Sequence, residues 1–181
     1  IVKIDIPESW KDAKDEEVEN NHKMTEFVKN IVIPMNRQEG DSLPVSTFMG
    51  MEDGTFEAGT AAYEKRGIAV NVPEWIPENC IQCNQCSFVC PHAVIRPFLA
   101  TPQEIKNAPS SYKSLKANGI KGDKEYSYTI GITPLDCTGC GNCVETCPAP
   151  GKALIMKPQD SQHEQIECWN YAVEELSIKP N

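Results

Sequence analysis

Cys80-Ile-Gln-Cys83-Asn-Gln-Cys86-Ser-Phe-Val-Cys90-Pro91 and Cys137-Thr-Gly-Cys140-Gly-Asn-Cys143-Val-Glu-Thr-Cys147-Pro148 are two copies of one pattern, C-x2-C-x2-C-x3-C-P. Eight of the nine cysteines fall inside them, so the pattern decides how the chain is built. In each copy three thiols at i, i+3 and i+6 lie on one loop. The fourth, beside proline, begins the next element and swings away. A disulfide framework is disfavoured by the odd cysteine count and by the identity of the two arrays; such frameworks belong to short secreted chains.

Thiolates are soft ligands for Fe–S clusters, zinc or Cu(I). Two C-x2-C pairs alone would leave structural zinc competitive. The third and fourth cysteines and the following proline, all present twice, favour [4Fe-4S] clusters. The run is the known signature of bacterial two-cluster ferredoxins, in which the fourth cysteine serves the other cluster. That resemblance implies two [4Fe-4S] clusters. Cys80, Cys83, Cys86 and Cys147 would hold the first, and Cys137, Cys140, Cys143 and Cys90 the second. Gly139 and Gly141 flank Cys140 and allow close approach of the backbone to the inorganic sulfides. Ile81, Phe88, Val89, Val144, Leu154 and Ile155 are positioned to exclude water. Glycines in the second run alone suggest two clusters of unequal potential. The ninth thiol, Cys168, reads as a packed or idle side chain, and His92, His22 and His163 read as structural or exposed imidazoles.

The expected fold class is α+β: a two-[4Fe-4S] ferredoxin-like core of short strands and helices, preceded by a helix and a long irregular arm. Residues 1–78 are the arm, and residues 79–181 are the ferredoxin-type domain with an insert at 97–128 and a C-terminal helix. Val2, Ile4 and Ile6 alternate as a short strand. Apolar residues from Asp15 to Ile33 recur with helical spacing, and Pro34 is expected to stop that helix. Residues 34–79 are punctuated by Pro and Gly with no sustained period, with Phe48, Met49, Phe56, Tyr63 and Trp75 as anchors against a larger body. Thr101-Pro102-Gln103-Glu104 has the residues of a capping box. Lys121 to Lys124 reads as a turn, Tyr126 to Ile132 as a strand, and Ala153 to Met156 as another. Ser161 to Glu164 reads as a second capping box, opening a helix whose apolar face is Ile166, Trp169, Val173 and Leu176.

The chain has 181 residues and a net charge of −9. Residues 1–60 carry −7 of this, whereas the stretch 91–136 between the arrays carries +2. The acidic sign disfavours nucleic acid. A locally basic insert on an acidic body suits attraction of a small acidic redox carrier, and equally an ordinary solvated loop. No apolar run approaches the roughly 18 residues of a membrane span, and free thiolates point to a reducing, cytoplasmic setting. The opening Ile-Val-Lys suggests an excised piece. There is no nucleophile–base pair, phosphate loop or carboxylate pair, so the expected catalytic residues are none.

Gly40-Asp-Ser-Leu-Pro-Val-Ser46, Asp53-Gly-Thr-Phe56 and Gly59-Thr-Ala-Ala-Tyr-Glu-Lys-Arg-Gly-Ile-Ala69 resemble the connecting segment of pyruvate:ferredoxin (flavodoxin) oxidoreductases, marked by its Glu-Lys-Arg motif. Trp75-Ile-Pro77, Cys90-Pro-His-Ala-Val-Ile-Arg-Pro97 and Thr129 to Cys137 are similar to that family's inserted ferredoxin domain. The resemblance implies an enzyme that decarboxylates pyruvate with thiamine diphosphate and Mg2+ and forms acetyl-CoA. It would pass electrons through three [4Fe-4S] clusters to ferredoxin or flavodoxin, and would work as a homodimer. Thiamine diphosphate, Mg2+ and the third cluster are then expected outside this chain, whose partners are the remaining domains and the acceptor. A stand-alone two-cluster ferredoxin or small electron-transfer subunit is the alternative, and a zinc-stabilised interaction domain a third. No role for Glu64-Lys65-Arg66 follows from the sequence beyond a contact between domains or a solvated charge run.

Overall fold

The computed structural model describes residue 8, residues 24–120 and residues 125–179. The strand expected at Val2–Ile6, the start of the first helix, His22 and the turn at 121–124 lie outside these. The chain divides into two compact units, Ile1–Glu64 and Lys65–Asn181.

In the first unit, a π-helical turn Val28–Val32 runs directly into helix α1 (Ile33–Asn36). Pro34 therefore does not stop the helix. The π turn bonds the Ile33 amide to the Val28 carbonyl, and the α-register restarts with Pro34 in its first turn, where a missing N–H costs nothing. Short 3-10 turns follow at Gly40–Ser42, Val45–Phe48 and Thr60–Tyr63. Phe56 meets Phe27 edge to face at 4.9 Å, and Thr25 donates to Glu57 at 2.9 Å. Met49 and Phe56 are otherwise well exposed within the described chain.

The second unit is built from two sheets. Strand β1 (Asn71–Trp75) pairs antiparallel with β5 (Leu154–Pro158), Trp75 opposite Leu154. Strands β2 (Ile95–Ala100) and β3 (Leu115–Lys116) flank β4 (Ser127–Ile132). The arm reading hid β1, because Pro73 and Pro77 interrupt its pattern. A two-stranded sheet has only edge strands, and on an edge a proline's missing donor is tolerated. Pro97 sits in β2, also an edge.

Val72, Trp75, Ile95, Tyr128, Ile130, Ile132 and Leu154 form one buried core together with Cys137, Cys143 and Cys147. The alternation expected in β4 is present, but its second face is covered too. Thr129 donates to the Lys113 carbonyl at 2.6 Å. Gly131 leaves room for Phe98 and Trp169, whose rings meet edge to face at 6.0 Å.

Helix α3 (Pro102–Asn107) starts with the expected capping box: Glu104 N–H donates to Thr101 Oγ1 at 3.3 Å and Thr101 N–H to Glu104 Oε2 at 2.7 Å. Helix α5 (Glu164–Glu174) does not. Its cap residue is His163, and Ser161 instead donates to the Pro158 carbonyl within a 3-10 turn, Gln159–Ser161. The expected apolar face of α5 holds in its first part, where Ile166 and Trp169 are half-buried, but not beyond it. Ala172 is buried, Val173 is exposed, and Leu176 lies beyond the helix end.

Candidate metal centres

Each cysteine run is launched and received by the same local devices. A strand (β1 or β4) ends in a 3-10 turn headed by proline, Pro77–Asn79 or Pro134–Asp136. Cys80 and Cys137 follow, their amides bonded back to Pro77 O (2.9 Å) and Pro134 O (3.4 Å). A loop then leads to a five-residue helix, α2 (Gln85–Val89) or α4 (Asn142–Thr146), and the terminal Cys-Pro turns into a strand, β2 or β5.

Strand pairing decides which cysteines meet. The strand entering run one (β1) pairs with the strand leaving run two (β5), and the strand entering run two (β4) pairs with the strand leaving run one (β2). Two further bonds extend these ladders towards the cysteines, from Ile76 N–H to Ala153 O (2.9 Å) and from Thr133 N–H to Val94 O (3.0 Å). Each run's last cysteine is thereby carried to the other run's loop. One cavity is lined by Cys80, Cys83, Cys86 and Cys147, with Trp75, Tyr128 and Leu154 as walls. A second is lined by Cys90, Cys137, Cys140 and Cys143, with Pro73, Val94 and Met156. The two are alike in size, about 330 and 340 Å3 with their open mouths included.

The donor chemistry fits a multi-iron group. Among the described residues no three His, Cys, Asp or Glu side chains form a group able to hold a single metal ion; the thiols surround a volume instead of meeting at a point. Cys137, Cys143 and Cys147 are buried, whereas Cys83 and Cys140 are exposed, one in each quartet. Burial pushes the Cys86 thiol up to about 11, and the Cys80, Cys83 and Cys147 thiolates add to this. Cys143 rises to about 12 for the same first reason, with Cys137, Cys86 and Cys140 adding. Cys137 is also raised, by burial first and then by Cys90 and Cys140 across the cavity. Thiolates so penalised persist only when a cationic group binds them. Backbone amides meet cysteine sulfurs in both quartets, among them Gly139 N–H to Cys137 and Ala153 N–H to Cys147, both 3.3 Å.

The two loops follow one backbone path. Gly139 and Gly141 have φ of +71° and +76°; at the corresponding places in run one, Gln82 and Asn84 have +58° and +61°. The glycines therefore do not mark a different loop. Run one carries side chains in these strained positions because they hold the insert. Gln82 donates to Lys116 O and accepts from Asn118 N–H, each at 2.8 Å, and Asn84 accepts from the Tyr128 hydroxyl at 2.6 Å.

Of the residues expected to exclude water, Leu154 is buried and Val89 and Val144 pack against the core. Ile81, 53% exposed, lines the first cavity at its open side with exposed Cys83, whereas Phe88, 88% exposed, lines neither cavity. A residue missed by sequence reading is Lys152. Its ammonium donates to Val144, Glu145 and Cys147 carbonyls at 3.0–3.1 Å, capping α4 beside the first quartet. Its own backbone is left-handed (φ 49°), and nothing in the sequence marks that. His92 is exposed at the rim of the second cavity. Cys168 is in neither quartet; it shares a hydrogen bond with Ser111 Oγ (3.3 Å), and burial raises its pKa. Lys113 pairs with Glu74 and Lys116 with Glu125, so part of the insert's positive charge is neutralised within the unit.

Residues 13–69 match a family described as EKR, a domain of unknown function, and residues 79–151 match the 4Fe-4S dicluster domain family. The chain is 53% identical over 180 residues to a pyruvate-flavodoxin oxidoreductase of Enterobacter agglomerans, covering 99% of this chain and 15% of that protein. It is 48% identical over 182 residues to a pyruvate:ferredoxin oxidoreductase of Moorella thermoacetica, covering 100% and 15%. With a mitochondrial pyruvate dehydrogenase [NADP(+)] of Euglena gracilis it shares 47% identity over 146 residues, 80% of this chain and 8% of that one. The chain thus spans about 15% of the length of the first of these curated relatives.

Proposed function

The chain belongs to the pyruvate:ferredoxin (flavodoxin) oxidoreductase family, and we propose that its part there is to relay electrons through two clusters between a thiamine-dependent centre and a carrier protein. The observation that carries this reading is the pair of equal cavities, each ringed by three cysteines of one run and the last cysteine of the other. Cys80, Cys83, Cys86 and Cys147 hold one [4Fe-4S] cluster, and Cys90, Cys137, Cys140 and Cys143 hold the second. When bound, such clusters supply one-electron carriers at low potential.

The chain's own residues set the conditions for that chemistry. Trp75, Tyr128, Leu154 and Val94 keep water from the inner corners. The Gly139 and Ala153 amides donate to ligand sulfurs and so favour the more negative, reduced form. Exposed Cys83 and Cys140 mark the edge of each site nearest to solvent, where transfer to or from a partner is shortest.

Pyruvate decarboxylation, thiamine diphosphate with Mg2+, a third cluster and coenzyme A chemistry belong to other parts of the parent polypeptide in this reading. Ferredoxin or flavodoxin takes the electrons, and the parent works as a homodimer in the cytoplasm. No described helix is long and apolar enough to cross a membrane. The test uses the full-length polypeptide with Cys83→Ser or Cys140→Ser. Each variant should lose most reduction of flavodoxin or ferredoxin while still decarboxylating pyruvate with a small artificial oxidant. Unchanged carrier reduction in both would overturn the relay.

A further inference from the structure

Two turns launch the two cysteine runs, and they are secured differently. In run one the residue before Cys80 is Asn79, whose neutral amide donates to Gly151 O (2.8 Å) and Lys152 O (3.0 Å). In run two the residue before Cys137 is Asp136. Its Oδ2 accepts from Thr133 Oγ1 at 2.9 Å and from Lys65 Nζ in an ion pair. Lys65 is the lysine of the Glu-Lys-Arg motif, 71 residues away in sequence. The second site alone thus has a carboxylate beside its first ligand and a cation brought from afar to meet it.

The segment that follows Lys65, ahead of β1, stays on the same turn and loop. Gly67 N–H donates to Leu135 O at 2.9 Å, and Gln159 ties both sides together through Val70 O (3.0 Å) and Pro134 O (3.3 Å). Ala69 is buried, and a Cβ on Gly139 would lie 3.3 Å from Ala69 Cβ and 3.0 Å from Asn71 O. The motif-bearing segment is therefore a wall of the Cys137–Cys140 loop.

We propose that Lys65 is a positioning and charge-compensating residue of the second quartet: it fixes Asp136, and hence the turn that presents Cys137, and cancels the carboxylate's charge next to an electron-accepting site. This rests on the ligand assignment proposed above. An uncompensated carboxylate next to that site disfavours an added electron, and an uncompensated ammonium favours it. Lys65 and Asp136 retain 35% and 28% side-chain exposure, so solvent weakens the effect without abolishing it.

The test is a potentiometric EPR titration of the cluster-loaded full-length polypeptide, comparing Lys65→Met, Asp136→Asn, the double variant and Lys65→Arg. Lys65→Met should lower the midpoint of one cluster, cutting its reduced-to-oxidised ratio at fixed potential about threefold or more, near 28 mV at 59 mV per tenfold. Asp136→Asn should raise the same midpoint by a similar factor. The double variant and Lys65→Arg should titrate like the parent. Shifts of one sign in both single variants, or none with iron and sulfide intact, would overturn the proposal. If Lys65→Met sheds its cluster, Asp136→Asn decides alone: a raised midpoint supports the pairing and an unmoved one refutes it. A parent preparation without a pair of clusters would instead refute the underlying ligand assignment, and this proposal with it.

Discussion

Gly139 and Gly141 flank Cys140 with nearly the same left-handed backbone, yet alanine should be tolerated very differently at the two. Holding an L-residue at φ near +71° to +76° costs roughly 1–2 kcal/mol at either position. At Gly141 nothing lies within 4 Å of the added Cβ, so that is the whole cost. At Gly139 the Cβ also meets the Asn71 carbonyl oxygen at 3.0 Å and Ala69 at 3.3 Å. Asn71 opens β1 and is held in the β1–β5 ladder, and Ala69, two residues before it, is buried in the core, so they yield only with strain, worth a further ~1–3 kcal/mol. The assay is anaerobic iron release to a chelator, because unfolding of a protein with tightly bound cofactors is not two-state. Expressed in opening of the site, the difference corresponds to release roughly 5- to 150-fold faster from Gly139→Ala than from Gly141→Ala. Equal rates, or a slower Gly139→Ala, would refute the stacking of the motif-bearing segment on this loop.

Two other predictions rest on side chains that bond several partners. Lys152→Ala removes a cation from three carbonyls at the end of α4, and should destabilise the loaded unit by about 1–2 kcal/mol. The readout is iron release at least about fivefold faster than in the parent. Glu104 accepts from Thr101 N–H, Ser177 N–H and Oγ, and Lys179. Burial alone would raise its pKa, but these donors hold the carboxyl well below the usual range. Its stabilising contribution is therefore complete above the ordinary carboxylate pKa of roughly 4.3 and is lost only as pH falls through the depressed folded value. Hydrogen exchange at the Ser177 amide should be slow and unchanged between pH 7 and 5, once corrected for intrinsic rates, and fast in Glu104→Gln at pH 7. A loss of protection in the parent within that window would contradict the anchoring.

The two cysteine arrays were legible because C-x2-C-x2-C-x3-C-P is local and repeated; which cysteine faces the other array was read only through the ferredoxin resemblance, and the ligand roles rest on the proposal above. The α3 capping box and the strands β4 and β5 were legible for similar reasons: their signals lie within a few residues. What escaped was non-local or exceptional. β1 is masked by Pro73, which only its edge position permits. Gln82 and Asn84 adopt glycine-like backbone because their side chains fasten an insert more than thirty residues on. Pro34 sits inside a helix because a π turn resets the register before it. The Glu-Lys-Arg motif was visible as letters but had no chemistry until Asp136 appeared opposite Lys65. On α5, apolar spacing found Ile166 and Trp169 but carried the stripe too far to Val173 and Leu176, and it gave no sign that Cys168 and Gln165 also turn inward to meet Ser111 and the Pro73 carbonyl.

The crossed ligation is tested most directly on the purified chain, loaded anaerobically, by iron and acid-labile sulfide analysis with EPR of the dithionite-reduced protein, beside Cys147→Ala. About eight iron and eight sulfide with spin-coupled signals are expected for the parent, as two neighbouring [4Fe-4S] clusters require. In Cys147→Ala the perturbed cluster should be the one that Cys80→Ala also perturbs, with the Cys137 site spared. Damage confined to the cluster shared with Cys137, Cys140 and Cys143, or zinc without sulfide, would contradict the account.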